Sequence, residues 1–307
     1  MNISERSKII IAAILMPTFF GFSFLASKVA LNAIDSTPIA LIAYRFFFAA
    51  IIMYILRKTK LINVELKGKD IRLILLLSVF YPVSSFIFET IGINMITSSE
   101  SGIIISLHPI FTTIMATFIL KEYPSKPQIG FILLSTAGVF FINYMQKEAG
   151  YDIIGYLILL LAVVLSSSHG ALSRKASLDF KPEEITYMMI ISGAVVFSVI
   201  LILIHLIEGN IMELFTPLLN IKFMISVLYL AVGCSVISFF LLNYLYSKLE
   251  ASRISVLTNI ATVISIFAGV IILKEIIYWY HYVGAMAIIS GTLGANYFGE
   301  KLNSFNK

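Results

Sequence analysis

The sequence predicts an all-α, polytopic membrane protein: ten transmembrane helices arranged as two inverted five-helix repeats. Three observations predict it. Only 13% of the 307 residues are charged and 59% are hydrophobic, whereas a soluble domain carries about 25% charge. A chain this apolar cannot cover its own surface, which excludes a cytosolic enzyme, a nucleic-acid-binding domain and a disordered protein. Apolar segments of span length, roughly 20 residues each, then follow one another along almost the whole chain and leave no room for a sizeable soluble domain. Finally, Lys and Arg concentrate in every second connection.

The apolar segments run roughly over 8–31, 36–56, 71–94, 99–120, 126–144, 153–174, 183–206, 221–246, 252–273 and 277–298. The first starts behind Arg6 and Lys8 and continues from Ile9 to about Leu31. It is longer than the 7–15-residue apolar core of a signal peptide, so it reads as a retained span. Ten spans place both termini on one side. The connections on that side carry 17 of the 22 Lys and Arg, the opposite connections carry 4, and Arg45 lies inside a span. The positive-inside rule therefore puts both termini in the cytoplasm, in a plasma (inner) membrane. It also explains the net charge of +5: the basic residues face anionic lipid rather than nucleic acid. Cys234 is the single cysteine, which allows no internal disulfide and reads as a small buried hydrophobe.

The two halves resemble each other. The fourth segment ends in Ile119–Glu122 and the ninth in Ile272–Glu275, both reading ILKE. Each string is followed by a glycine, Gly130 or Gly284, that opens another apolar run, and each helix begins after an acidic residue, Glu100 or Glu250. The expected division is 1–148 and 149–307. With five helices per half, the second copy enters the membrane upside down. Inverted repeats of this kind are a transporter signature, with the substrate site at the repeat interface near the midplane.

These residues resemble the drug/metabolite transporter superfamily and, within it, the EamA-like family, over nearly the whole chain. The stretch FGFSFLASKVALNAIDSTPIALIAYRFFFAA carries Phe20, Gly21, Ser23, Phe24, Lys28, Pro38 and Arg45 in the order of that family's opening, and EASRISVLTNIATVISIFAGVIILKE resembles its ninth helix. Phe20 stands where Trp is common, Thr262 where a proline is usual, and the Leu-Gly-Glu endings are Leu-Lys-Glu here. The resemblance implies alternating access through a cavity lined by helices one, three, four, six, eight and nine, with five and ten as scaffold.

Several residues within the spans carry candidate chemistry, because an ionisable group in a membrane is a functional hypothesis by default. Glu89 shares one face of helix three with Ser78, Tyr81, Ser85 and Gly92, which recur every three or four residues. It is a candidate for binding a cationic group or carrying a proton, or for a structural ion pair with Arg45 or Lys28. Lys28 and Arg45 read mainly as structural. His108 precedes Pro109 in helix four, and the proline frees a backbone carbonyl there; His108 is the second proton-coupling candidate, or a packing histidine. His169 reads as interfacial or cavity wall. Ser106 with Pro109, and Thr258 with Asn259, lie on stripes of small polar residues that suit a cavity wall or close helix packing alike. Phe20, Gly21 and Ser23, with Ser166 and Asn243, complete the candidate substrate-binding set. No spacing suggests a metal site, and no Walker loop suggests ATP drive; no cofactor is expected.

The function these readings converge on is secondary active transport, with export of small metabolites such as amino acids or related amphipathic compounds by alternating access. Proton coupling is open, as is the choice of monomer or homodimer. Import or exchange is the alternative direction, and a membrane-embedded enzyme or a sensor is the alternative class. Neither nucleic acid nor catalysis is expected.

Overall fold

A computed structural model of the chain describes residues 3–33, 37–96, 98–145, 152–273 and 277–305, which form helices and their connections with no strand among them. The expected boundary between 148 and 149 lies outside the described residues. Helix α1 is Ile3–Ala33 and α2 is Pro38–Lys58. Thr37 caps α2, its hydroxyl accepting from the Ala40 amide at 3.4 Å, and Pro38 takes the first turn, where a missing N–H costs nothing. Helix α3 (72–95) is regular over Arg72–Ser78, widens into a π turn over Val79–Ser84 and resumes over Ser85–Met95. Tyr81 breaks it, with an extended backbone (φ −146°, ψ 124°), the conformation that the following Pro82 favours.

Helix α4 (98–120) is also in two pieces, Ser98–Ile105 and His108–Leu120, and ends on Lys121 in the left-handed region. Ser125 and Gln128 then cap α5 (Lys126–Met145) reciprocally, side chain to amide, at 3.2 and 3.3 Å. The Asp152 carboxylate accepts from the Ile154 and Gly155 amides at the start of α6 (Ile153–Ala176). Helix α7 is Pro182–Glu208, followed by a 3₁₀ turn at Ile211–Leu219. Asn220 caps α8 (221–248), in which a second π turn, Leu230–Ile237, separates Ile221–Tyr229 from Ser238–Lys248. Helices α9 (Ala251–Leu273) and α10 (Trp279–Phe305) complete the bundle.

Nine helices among the described residues are long and apolar enough to cross a membrane. Helix α10 is not one of them, although it spans 27 residues: Tyr280, His281, Asn296 and its glycines dilute its apolar run. It lies along α5. Large apolar side chains such as Phe118, Val195 and Leu293 stand exposed around the bundle, a surface that lipid, not water, would cover.

Helix α5 runs along α10 and α2 along α7. The other large contacts come in matching couples, α1 on α9 and α8, and α6 on α4 and α3. Glycine sets the closest approach. A Cβ on Gly138 would lie 2.8 Å from the Gly284 carbonyl oxygen, and one on Gly284 would lie 2.9 Å from that of Gly138. In membranes, small residues at such crossings let backbones meet. At the end that carries Ile3 and Phe305, Glu184 is 1% exposed and anchors the loop after α2. It accepts from Lys69 Nζ at 2.7 Å, from its own cap residue Lys181, and from the Glu65 amide.

The glycine crossing yields a stability prediction. Gly284→Val forces α5 and α10 apart and lowers stability by about 1–3 kcal/mol, the usual cost of overpacking. Gly130→Ala, where a Cβ meets nothing within 4 Å, leaves the melting temperature unchanged or raised. Thermal unfolding of the detergent-solubilised protein reads both.

Candidate functional site

The interruptions of α3 and α4 border a cavity of about 460 Å³ within the bundle. Its wall takes side chains from α1, α3, α4, α6, α8 and α9, as the family resemblance implies, and also Leu41, Ile42 and Arg45 from α2 and Val139 from α5. One end reaches Leu31, Pro38 and Ile93, close to where α1 ends, α2 begins and α3 ends. The opposite end stops at His169, Leu242 and Tyr246.

Arg45 and Glu89 are the charged groups of the wall. Arg45 Nε donates to Ser235 Oγ at 2.8 Å, and Ser235 sits in the π turn of α8. The guanidinium rests 5.6–5.9 Å from the ring centres of Phe46, Phe86 and Phe239, a range in which cation–π attraction is significant. The expected ion pair does not close: no Lys or Arg nitrogen lies within salt-bridge reach of Glu89 among the described residues. Aromatic rings and Ser235 hold the guanidinium instead. Lys28 is exposed near the end of α1.

Behind Arg45 the rings continue inward. The Tyr81 ring lies 5.3 Å from Phe86 and 5.5 Å from Phe239, and on its far side 4.9 Å from His169. His169 in turn meets Tyr246 edge-on at 5.6 Å. Tyr81, at the break in α3, also lines the cavity. In α4, Pro109 removes the amide that would close on the Ile105 carbonyl, and Ile105, Ser106 and His108 line the wall beside it. His108 Nδ1 lies 3.5 Å from Thr112 Oγ1, and its carbonyl accepts from Ser167 Oγ.

The cavity brings together Phe20, Ser23, Tyr81, Glu89, Ser106, His108, Ser166, Thr258 and Asn259 from the candidate set. The Ser23, Ser166 and Thr258 hydroxyls donate back to carbonyls of their own helices. Asn259 also donates to Ser135 Oγ at 3.0 Å, tying α9 to α5. Gly21, Ser85, Pro109 and Asn243 lie outside the wall. Gly21 seats α1 on α9, where a Cβ would meet Ile264 at 2.7 Å. Ser85 is fully buried within α3. Asn243 joins three helices: it accepts from Ser173 Oγ at 2.8 Å and donates to Thr186 Oγ1 at 2.9 Å. The wall further contains Ser27, Phe86, Thr90 and Tyr246, which sequence reasoning did not single out. Thr90 adjoins Glu89 in the chain and was within reach of the same argument; Tyr246 gives no sequence signal.

Below the floor, the end of the bundle is closed by polar contacts. Glu122, at the end of the first ILKE string, accepts from Arg174 Nε at 2.7 Å and from the Ala251 amide at 3.1 Å. Arg174 Nη1 also donates to the Tyr246 carbonyl at 2.9 Å. One carboxylate thus links α4, α6 and α9, and its arginine partner adds α8. Lys248 pairs with Glu5 at 2.7 Å nearby. Glu275, its counterpart in the second string, lies outside the described residues.

The profile of the EamA-like transporter family matches residues 7–144 and again 153–297. "Uncharacterized transporter YcxC" of Bacillus subtilis (strain 168) is 36% identical over 302 residues, covering 97% of this chain and 95% of that one. "Probable amino-acid metabolite efflux pump" of Salmonella typhimurium (strain LT2) is 21% identical, covering 94% and 95%. A solved crystal structure superposes with a TM-score of 0.79 at 15% identity, covering 96% of this chain and 99% of that one, which speaks to the fold.

Wall and scaffold positions separate experimentally. Asn243→Leu leaves the Ser173 and Thr186 hydroxyls buried without their partner and destabilises the protein by about 1–3 kcal/mol, read as a lower unfolding temperature in detergent. A drop in stability no larger than that of an exposed-surface substitution contradicts the scaffold role.

Proposed function

The chain belongs to the EamA-like transporter family, and from that premise we propose that it is a ten-span secondary transporter exporting small amphipathic metabolites of the amino-acid kind by alternating access. The single observation that carries the reading is the central cavity holding Arg45 and Glu89. The planar guanidinium suits a carboxylate, Glu89 suits an ammonium group or a proton, and the aromatic wall suits an apolar arm. A zwitterion with a hydrophobic side chain satisfies all three. The name of the Salmonella relative supports export of such compounds.

Two inverted repeats, 1–148 and 149–307, account for the paired packing of α1 with α9 and α8 and of α6 with α4 and α3. They also account for a family profile that matches once in each half. In this reading α10 is the tenth span, with its weaker apolarity tolerated because it lies along α5. The positive-inside bias then puts both termini and the Arg174–Glu122 contact in the cytoplasm of a plasma-membrane protein. The cavity opens outward, and the polar contacts close it inward. Partly exposed ion pairs are each worth about 0–1 kcal/mol, so a closure built on a few of them can break and re-form in every cycle. Substrate binding between the halves lets them rock, opening one end as the other closes.

Transport by the purified chain in proteoliposomes, with and without a pH gradient, tests the reading. Arg45→Gln raises KM for amino-acid substrates at least tenfold; an unchanged KM removes the cavity as the site. Glu89→Gln and His108→Gln are compared in the same assay. Loss of the pH dependence in one of them identifies the proton carrier, and unchanged rate and pH dependence in both removes proton coupling through these groups. Arg174→Gln weakens the inward closure. A cysteine placed at Leu242 then reacts faster with a membrane-impermeant thiol reagent applied from the side of the termini, whereas equal rates show that Arg174 does not hold that end shut.

A further inference from the structure

Another concave surface faces outward from the bundle. Helices α4 and α5 leave a groove of about 410 Å³ between them, walled by Ile110, Ile114 and Phe118 from α4, Ile129 and Leu133 from α5, and Tyr123 from the connection. Thr113 and Thr117 also line it, but their hydroxyls donate to the carbonyls of Pro109, Thr113 and Glu122, so the wall is almost wholly apolar. Phe118 is 80% and Tyr123 73% exposed. From Phe118 back to Ile110 the groove follows α4 for about 12 Å. One leaflet of hydrocarbon is roughly 15 Å deep, half of a core about 30 Å thick.

The end of the groove at the α4–α5 connection is basic. Lys121 follows the last residue of α4. Lys126 opens α5 on the face of Ile129 and Leu133, which stand three and seven residues further on. Both lysines are exposed, and neither pairs with a carboxylate among the described residues. Glu122 lies between them in the chain but is turned elsewhere, its carboxylate taken by Arg174 and by the Ala251 amide.

We propose that this groove binds an anionic phospholipid, with one acyl chain in the slot and the phosphate at Lys121 and Lys126. The slot is close to one leaflet deep, and its two uncompensated cations stand at the end where a headgroup lies. Lysine binds phosphate as a point charge, and basic pockets between membrane helices suit anionic headgroups. Tyr123 stands at the same level, where amphipathic rings settle at the membrane–water interface. A second copy of the chain fits this face less well. A two-fold contact brings each patch against its own equivalent, which sets lysine against lysine. The site lies at the end of the bundle that carries the termini, and Thr117 ties its wall to the Glu122 carbonyl. A bound lipid therefore packs against the turn whose carboxylate holds Arg174.

Titration of the detergent-solubilised full-length protein with phosphatidylglycerol or with phosphatidylcholine of the same chains, read by native mass spectrometry, tests the site. The wild-type chain binds phosphatidylglycerol about tenfold more tightly than phosphatidylcholine. In the double variant Lys121→Gln, Lys126→Gln that preference falls to near one, as expected when two lysines beside an anionic headgroup are lost. Lys126→Gln alone, with a preference of about threefold, serves if the double variant does not fold. The control Lys58→Gln, Lys60→Gln removes the same charge at the same end of the bundle, outside the groove, and keeps the preference. Ile114→Trp fills the slot and weakens both lipids at least threefold. Equal affinity of the wild-type chain for the two lipids overturns the assignment. So does a preference that survives the Lys121 and Lys126 substitutions, or one that the control loses to the same extent. Phe118→Cys tests for a second copy as the occupant: a disulfide between two chains that forms equally with and without phosphatidylglycerol makes the groove a chain–chain contact and overturns the lipid site. None of these measurements involves transport, so the lipid site and the transport reading stand or fall separately.

Discussion

The arrangement of the bundle's centre depends on one constraint, a guanidinium carried into an apolar interior. Arginine does not lose its proton in proteins, so wherever α2 takes Arg45 the charge goes as well. The surrounding helices are shaped to receive it. The π turn of α8 supplies Ser235 Oγ to Nε. The resumed part of α3 supplies Phe86, and α8 supplies Phe239, as faces for the cation. Phe197 from α7 packs on Phe46 at 5.4 Å and fixes the ring beneath it. Ser235 takes only Nε, and no side chain among the described residues takes the two Nη groups. The charge is therefore held in place while its fork remains available to a carboxylate, which a closed ion pair with Glu89 would prevent.

The same rings couple the site to the closed end. Tyr246 lines the cavity with its side chain and gives its carbonyl oxygen to Arg174. Arg174 in turn holds Glu122, which caps the start of α9 through the Ala251 amide. A ligand pressing on the floor thus acts on a residue whose backbone is part of the closure. Coupling of this kind requires an element with two arrangements that both sites bias. The last turn of α8, bonded to Arg174 and followed at once by α9, is the piece that such a motion would displace.

What was legible in the sequence follows physical cost. Apolar length and the alternation of Lys and Arg gave the spans, because lipid leaves the backbone few options. The face of Ser78, Tyr81, Ser85 and Glu89 pointed at α3, although Ser85 is buried within the helix and Glu89 lines the cavity without an ion pair among the described residues. Pro109 marked the break in α4, whereas the break at Tyr81 in α3, before Pro82, was not singled out from the sequence. The π turn of α8 was not legible, because LAVGCSVI contains no proline and reads as uninterrupted apolar helix. Asn243 and Asn259 look alike in sequence, as lone amides in apolar runs. Only packing decides that one is enclosed by Ser173 and Thr186 while the other reaches the cavity. Helix α10 shows the opposite limit: a helix lying against a neighbour needs less apolar surface than one facing lipid, so its hydropathy falls below that of the other nine.

The two halves are alike in packing and unlike in chemistry, and the difference gives the cavity a direction. Arg45 and Glu89 both come from the first half, on α2 and α3; His169 and Tyr246 both come from the second, on α6 and α8. A symmetric pair of repeats would place equivalent groups at both ends of the cavity and hold a ligand equally well either way round. Here charge lies on one side of the Phe86–Phe239–Tyr81 wall and the imidazole on the other. The helix breaks are asymmetric as well. Helix α4 is interrupted before Pro109, whereas α9, with Thr262 at the related position, runs unbroken over Ala251–Leu273. The interrupted helix can bend at Ser106 and Leu107, and the continuous one moves as a rod. If the halves rock, α9 carries Ala251 away from Glu122 as a unit, while α4 absorbs its share at the break beside His108.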